Sequence, residues 1–181
     1  LGYPYKANKA ILNAYILNNS LLCDMKITLL IIGKTEENWL KEGIDKYLKR
    51  LKFYGKVEIA EIPELKNTKA LTPDQQKTKE AELILKRLLP TDHIILLDEK
   101  GVQLTSRQFA EYLDKKAVSS LSNLVFIVGG PYGFHESVYQ KANDKLSLSK
   151  MTFSHQMVRL FFTEQLYRAF TILKGEPYHH D

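Results

Sequence analysis

Glu164 and Arg168 stand four residues apart in a run, Met157 to Leu173, that is otherwise mostly apolar. Four residues is about one helical turn, so carboxylate and guanidinium meet on one face. On a wet surface such a pair contributes little. In a buried helix both charges need partners, which a pocket or a subunit interface supplies, and the apolar setting favours that reading. His155 begins the same helix, where the positive end of the helix dipole favours a neutral imidazole. Spacing alone does not separate a structural histidine from a catalytic one there. Tyr178, His179 and His180 follow the helix. The two histidines read as a metal pair or as a solvated tail. With Cys23 the sole cysteine and no cluster of carboxylates nearby, no metal is expected.

A second group of candidates is Gly129-Gly130-Pro131-Tyr132-Gly133. Glycine lets backbone come close to a ligand and tolerates positive φ, although many such loops are only turns. The run does not match the G-x-G-x-x-G pattern, and no Lys-Ser or Lys-Thr makes a phosphate-binding P-loop. Nicotinamide and nucleoside-triphosphate enzymes are thereby disfavoured.

The elements that must hold these residues follow from periodicity. Lys26 to Gly33, Val57 to Ile62, His93 to Asp98, Leu124 to Val128 and Lys145 to Ser149 read as strands, each ending in a turn signal. Glu99-Lys100-Gly101 reads as the turn after the third. Between the strands lie helical patterns. Trp39, Ile44, Tyr47, Leu48 and Leu51 share one apolar face. Thr72-Pro73-Asp74-Gln75 and Thr105 with Gln108 are capping-box starts. Glu136 to Ala142 is a short helix, and His155 to Lys174 a long one stopped by Gly175 and Pro177. Strands alternating with helices predict an α/β fold: a mostly parallel sheet of five to six strands with helices on both faces. Ligands in such sheets sit beyond the carboxyl ends of strands. Here those ends are Gly33, Leu97 to Gly101, Gly129 to Gly133, and Ser149 to Phe153. The last helix has apolar residues on more than one face, which predicts cover from the sheet on one side and from a second subunit on the other.

Composition sets the bounds. The chain has 181 residues, 44% of them hydrophobic and 26% charged, as in ordinary globular domains. No segment approaches the roughly 20 apolar residues of a membrane span, and a lone cysteine suits a reducing cytoplasmic setting. A net charge of +5 allows a polyanionic partner without requiring one. Met25 begins the first strand. Residues 1–24 read as an extension outside the fold, with a genuine extra helix as the alternative and no signal-peptide cleavage pattern. Residues 25–181 read as one domain.

Taken together, Gly129 to Gly133, Leu146 to His155 (LSLSKMTFSH), Gln156 to Arg159, Glu164 to Ala169 (EQLYRA) and Gly175 to His179 (GEPYH) resemble the ribosomal large-subunit pseudouridine N3-methyltransferases of the SPOUT, or α/β-knot, class. The start at Met25-Lys26-Ile27 fits as well, so the resemblance spans about Met25 to His180. It implies a C-terminal trefoil knot, an exception to the rule against knots. It also implies S-adenosylmethionine as methyl donor, contacted by Leu97, Gly129, Leu148, Ser149, Lys150, Met151, Thr152 and Phe153. A homodimer and a pseudouridine of 23S rRNA in assembled ribosomes complete the implied picture. Ser154 stands where many relatives carry proline, a departure compatible with capping the last helix.

For that reaction the donor brings the reactivity and the protein brings alignment. The N3–H is a weak acid, so a base or cationic groups beside the anion would help. His155, Glu164, Arg168, Tyr178 and His179 are the candidates. Arg168 is expected to stabilise or orient, Tyr178 and His179 to shape the base pocket, and His155 to support the knot or carry the proton. Three rivals remain: a SPOUT enzyme acting on tRNA, a non-catalytic RNA-binding knot protein, and a flavodoxin-like nucleotide binder. The first usually carries an added RNA-binding domain, and the last wants a phosphate loop that Gly33-Lys34-Thr35-Glu36 does not make.

Overall fold

The structure, a computed structural model, describes residues 24–119 and 121–180. The expectation for residues 1–24 therefore lies, Asp24 apart, outside the described residues. Five strands form one all-parallel sheet: β1 (Lys26–Ile32), β2 (Lys56–Ile62), β3 (Asp92–Gln103), β4 (Asn123–Val128) and β5 (Asp144–Ser147). Their order is β2-β1-β4-β3-β5. β4 is central and reads Asn-Leu-Val-Phe-Ile-Val with every apolar residue buried, as a strand covered on both faces must.

The helices are α1 (Asn38–Leu51), α2 (Pro73–Arg87), α3 (Ser106–Val118), α4 (Glu136–Tyr139) and α5 (His155–Leu173). Alternation along the strands sorts them into two layers. Ile27, Leu29, Ile31, Leu124, Phe126 and Val128 face Leu51 of α1, Leu113 of α3 and Phe162, Leu166, Ala169 and Phe170 of α5. Leu30, Ile32, Val125, Ile127 and Leu96 face Ala81 and Ile84 of α2 and Val138 of α4. At α2, Thr72 accepts from the Gln75 amide while the Gln75 side chain accepts from Thr72 N–H; Thr105 and Gln108 do the same at α3. Ser154 caps α5, its hydroxyl accepting from Met157 N at 3.2 Å. Gly175, at φ +66°, ends that helix in the left-handed conformation that glycine tolerates.

Two expectations change. Glu99-Lys100-Gly101 is not a terminating turn but part of β3, whose ladder with β5 jumps so that Leu146 pairs with both Leu97 and Val102. Four residues bulge out between those two and then rejoin the same partner. Gly101 must be glycine there: a Cβ would lie 2.5 Å from the Leu146 backbone. Trp39 is 55% exposed, and its neighbour Leu40 fills the core instead. Among the described residues no helix is long and apolar enough to cross a membrane.

Candidate active site

The carboxyl ends of β3, β4 and β5 enclose a cleft of about 980 Å³, closed on one side by His155 and Val158 of α5. Leu97, Gly129, Leu148, Ser149, Met151, Thr152 and Phe153 line it. Lys150 is exposed and is not among the lining residues. The walls are held by local bonds. Ser147 Oγ donates to Ser149 O (2.8 Å) and Met151 N donates to Ser149 Oγ (2.9 Å), which fixes the turn after β5. On β3, Asp98 accepts from Lys100 N at 2.8 Å and from the Tyr139 hydroxyl of α4.

The glycine loop after β4 closes through Gly133 N–H to Gly130 O (3.1 Å), with Gly133 at φ +77°. Space dictates the residue type at the loop's base. A Cβ on Gly130 would run into a Glu80 carboxylate oxygen, and one on Gly129 would crowd the Phe134 ring at 3.2 Å. Glu80 itself is 4% exposed. Its Oε1 accepts from Gln76 Nε2 (2.8 Å), while Oε2 has no hydrogen-bond partner among the described residues. Burial pushes its carboxyl pKa up, outweighing the opposing Gln76 bond. Sequence reasoning missed this residue, because a glutamate in a lysine-rich helix reads as solvated.

Arg159, one turn after His155, was also missed as a structural element. It is 1% exposed and donates to Ile32 O (2.7 Å) and Thr35 Oγ1 (3.2 Å). Gln156 adds bonds to Lys34 O and from Glu36 N. Together they pin the exit of β1 to the first turns of α5. Burial, and after it the Arg159 charge, holds the His155 pKa below the ordinary histidine value, so the ring in the cleft is neutral at pH 7.

The remaining candidates gather elsewhere. Glu164 Oε1 accepts from Arg168 Nη2 (2.6 Å), Arg168 Nε (3.1 Å) and the Tyr178 hydroxyl (3.1 Å), while Oε2 accepts from Gln165 (2.7 Å). Arg168 Nη1 lies 3.3 Å from His179 Nδ1. A guanidinium only donates, so Nδ1 is the acceptor in this contact. The Arg168 guanidinium stands over the Tyr178 ring at 4.8 Å, and Tyr178 packs edge-on to Tyr167 at 4.7 Å. From α1, Tyr47 reaches the Tyr178 hydroxyl (3.3 Å) and Arg50 lies over Tyr167 at 5.4 Å. Burial, then the bonds to Tyr47 and Glu164, raise the Tyr178 pKa, so it serves as a neutral donor. His180 is exposed, and no group of three or more potential ligand side chains gathers among the described residues.

Glu164, Arg168, Tyr178 and His179 thus form one cluster, and none of them lines the cleft. His155 and Arg168 are thirteen positions apart on α5, about 20 Å at the helical rise.

A parallel α/β sheet with its cleft at the β3, β4 and β5 exits, and a last helix emerging from that cleft, is the arrangement of a SPOUT-class methyltransferase. The chain belongs to this family: the family model described as "Predicted SPOUT methyltransferase" matches residues 25–179. It is 57% identical to the protein named Ribosomal RNA large subunit methyltransferase H of Parabacteroides distasonis, over 87% of this chain and 100% of that protein. The protein of the same name in Christiangramia forsetii is 58% identical over 86% of this chain and 99% of its own length. A solved structure, a probable methyltransferase of Bordetella pertussis Tohama I, covers 87% of this chain and 99% of its own at TM-score 0.47 and 8% identity.

S-adenosylmethionine, the donor of this class, suits the residues present. The volume is that of a small-molecule site. Gly129 and Gly130 line the cleft without side chains of their own, so backbone is open to a ligand there. Leu97, Leu148 and Val158 give apolar wall for a base, and Asp74, Asp98, Glu99 and Glu136 put acidic groups around a ligand that carries a sulfonium and an ammonium.

Proposed function

We propose that this protein methylates N3 of a pseudouridine in 23S rRNA of assembled ribosomes, using S-adenosylmethionine, in the cytoplasm and as a homodimer. The observation that carries the reading is the pair of half-sites: a ligand cleft at one end of α5 and a charged, aromatic cluster about 20 Å along it. Relatives at 57% and 58% identity across nearly their whole length bear ribosomal RNA names, and the motif run from Gly129 to His179 points the same way.

Methyl transfer needs the reacting atoms within about 3–3.5 Å, so cleft and cluster of one protomer cannot serve the same nucleotide. A two-fold partner solves this by presenting its Arg168 cluster to the other cleft, and the reverse contact forms at the same time. Tyr132 and Met151, which line the cleft, and Phe161 are exposed apolar side chains for such a partner to cover.

When bound, S-adenosylmethionine supplies an already activated methyl group on its sulfonium. The chain's own residues do the rest. Within the cluster, Glu164 already accepts from four donors, which suits it to hold Arg168 in place rather than to take a proton. Arg168 carries the positive charge that stabilises an N3 anion and its flanking carbonyls. Tyr178 and His179 shape the pocket for the base, with the Tyr178 hydroxyl proton held by Glu164. His155, neutral in the cleft, is placed to take the N3 proton and leave the anion that Arg168 stabilises. Purified protein should label intact ribosomes from cells lacking the native activity, at one pseudouridine, and leave naked rRNA unlabelled. Labelling of tRNA alone would overturn the substrate, and cofactor binding without any transfer would overturn the enzymatic reading.

A further inference from the structure

The turn between α1 and β2 is unlike the rest of the surface. Phe53 at its tip is 82% exposed. It stands among Lys46, Lys49, Lys52 and Lys56, all exposed and none in an ion pair among the described residues. The tip is nonetheless firmly based. Leu51 and Tyr54 on either side are buried, and the amides of Phe53, Tyr54 and Gly55 bond back to Arg50 and Leu51 carbonyls at 3.1, 2.9 and 3.2 Å. Tyr54 is tied further to Glu176 through its hydroxyl. The turn thus holds an aromatic ring outward, clear of the core.

This turn is continuous with the Arg168 cluster. Arg50, one turn of helix back, lies over the Tyr47 and Tyr167 rings, and Tyr47 reaches the Tyr178 hydroxyl. Lys46 and Lys49 are spaced three apart, so they share one face of α1 leading to the tip. The acids closest in sequence are Asp45 and Glu42 on α1, Glu58 on β2, which pairs with Lys26, and Glu176, which Tyr54 engages. A protein partner recognised through Phe53 would want apolar surroundings, but Lys52 and Lys56, the exposed residues flanking it in the turn, carry ammonium groups. Phosphates for the lysines and a base face for the ring are what nucleic acid offers.

From this juxtaposition we infer that Phe53 and Lys46, Lys49, Lys52 and Lys56 form an RNA-docking platform, contacting the strand that flanks the target nucleotide held at the Arg168 cluster. The lysines take the backbone and Phe53 stacks on an unpaired base. The inference rests on the proposed RNA substrate and adds where the flanking RNA lies.

The test is a binding titration of intact ribosomes with wild-type protein, the triple variant Lys49→Gln/Lys52→Gln/Lys56→Gln, Phe53→Ala and Phe53→Trp, across a range of salt. Thermal melting and S-adenosylmethionine affinity serve as controls for folding and for the cleft. The triple variant should bind more than about tenfold more weakly. Its dependence of log K on log salt should be shallower by about 0.7–0.9 for each phosphate that the variant no longer neutralises. Phe53→Ala should weaken binding severalfold with an unchanged salt slope, and Phe53→Trp should restore it. In turnover, KM for ribosomes should rise while kcat stays put. Wild-type affinity and salt slope in the well-folded triple variant would overturn the platform. Because binding is read separately from transfer, failure of wild-type protein to methylate rRNA would sink the proposed reaction and leave this comparison to decide the surface.

Discussion

The cleft and the Arg168 cluster are built on opposite plans. The cleft is made of strand ends: backbone turns, small residues and apolar walls, stiffened by Ser147, Ser149 and the glycine loop. The cluster is made of side chains alone, with Glu164, Arg168, Tyr178 and His179 linked by short polar contacts and stacked on tyrosines of α1 and α5. A ligand common to a whole enzyme class is met by the part of the fold that side-chain exchange alters least. The cluster, by contrast, depends on the identity of each side chain in it. α5 joins the two and keeps them apart.

The sharpest break of that contrast is a mixing experiment. Gly130→Val should push the cleft-lining loop after β4 away from the buried Glu80 and so abolish cofactor binding. Arg168→Ala should cut methyl transfer by about 10²–10³-fold with cofactor affinity unchanged, the size expected for losing a charge-stabilising group. Each variant alone is then inactive, yet mixed and re-equilibrated dimers should regain about a quarter of wild-type activity, from the one intact composite site of each heterodimer. No recovery would mean that each chain works alone.

His155 offers the next test. His155→Asn should lose about 10²–10⁴-fold in transfer, as for a general base. In wild-type protein kcat/KM should rise with pH through a limb below the ordinary histidine value of about 6.5, because burial and Arg159 favour the neutral ring. The variant should lack that limb. Arg168→Ala should keep it, which separates the two regions in one pH profile.

Arg159→Met should leave chemistry at the cluster untouched and lower stability by about 1–3 kcal/mol, since Ile32 O loses a buried donor. Melting with and without S-adenosylmethionine reads this out. The smallest effect lies far from both regions. Asp144 would be raised by burial, but bonds from Lys116, His93 and Tyr112 outweigh that and hold its pKa to about 2. A depressed folded pKa stabilises the protein above the unfolded value of about 3.9 and ceases to do so as pH falls through about 2. Asp144→Asn should therefore be less stable than wild type at pH 7, with the gap closing between about pH 4 and 2. Acid denaturation followed by circular dichroism measures it.

Much of the frame was readable because local signals and tertiary demands agree. Both capping boxes, the apolar run of β4 and the stop at Gly175 need nothing from distant residues to be recognised. The failures have the opposite character. Glu99-Lys100-Gly101 looks like a turn by composition, and only pairing with Leu146 makes it strand. Trp39 satisfies the helical period, but Leu40 wins the core because the helix sits rotated against the sheet. Glu80 and Arg159 are polar letters in permissive surroundings, and what buries them is chain remote in sequence: the Gly130 loop for one, the exit of β1 for the other. The gap between His155 and Arg168, by contrast, follows from helical rise alone. Motif likeness joins those two residues as one site, whereas the geometry sets them in two.

β5 is four residues long and lies at the sheet edge, yet Leu146 within it engages both ends of the β3 bulge. Every contact it makes in the sheet is with residues more than 40 positions earlier in the chain. A short edge strand with a single neighbour thus completes the wall, and the cleft is whole only while β5 is docked. Ligand that binds the finished cleft draws the population toward the completed state, so the methyl donor acts as an inspector of the fold before it serves as a reagent.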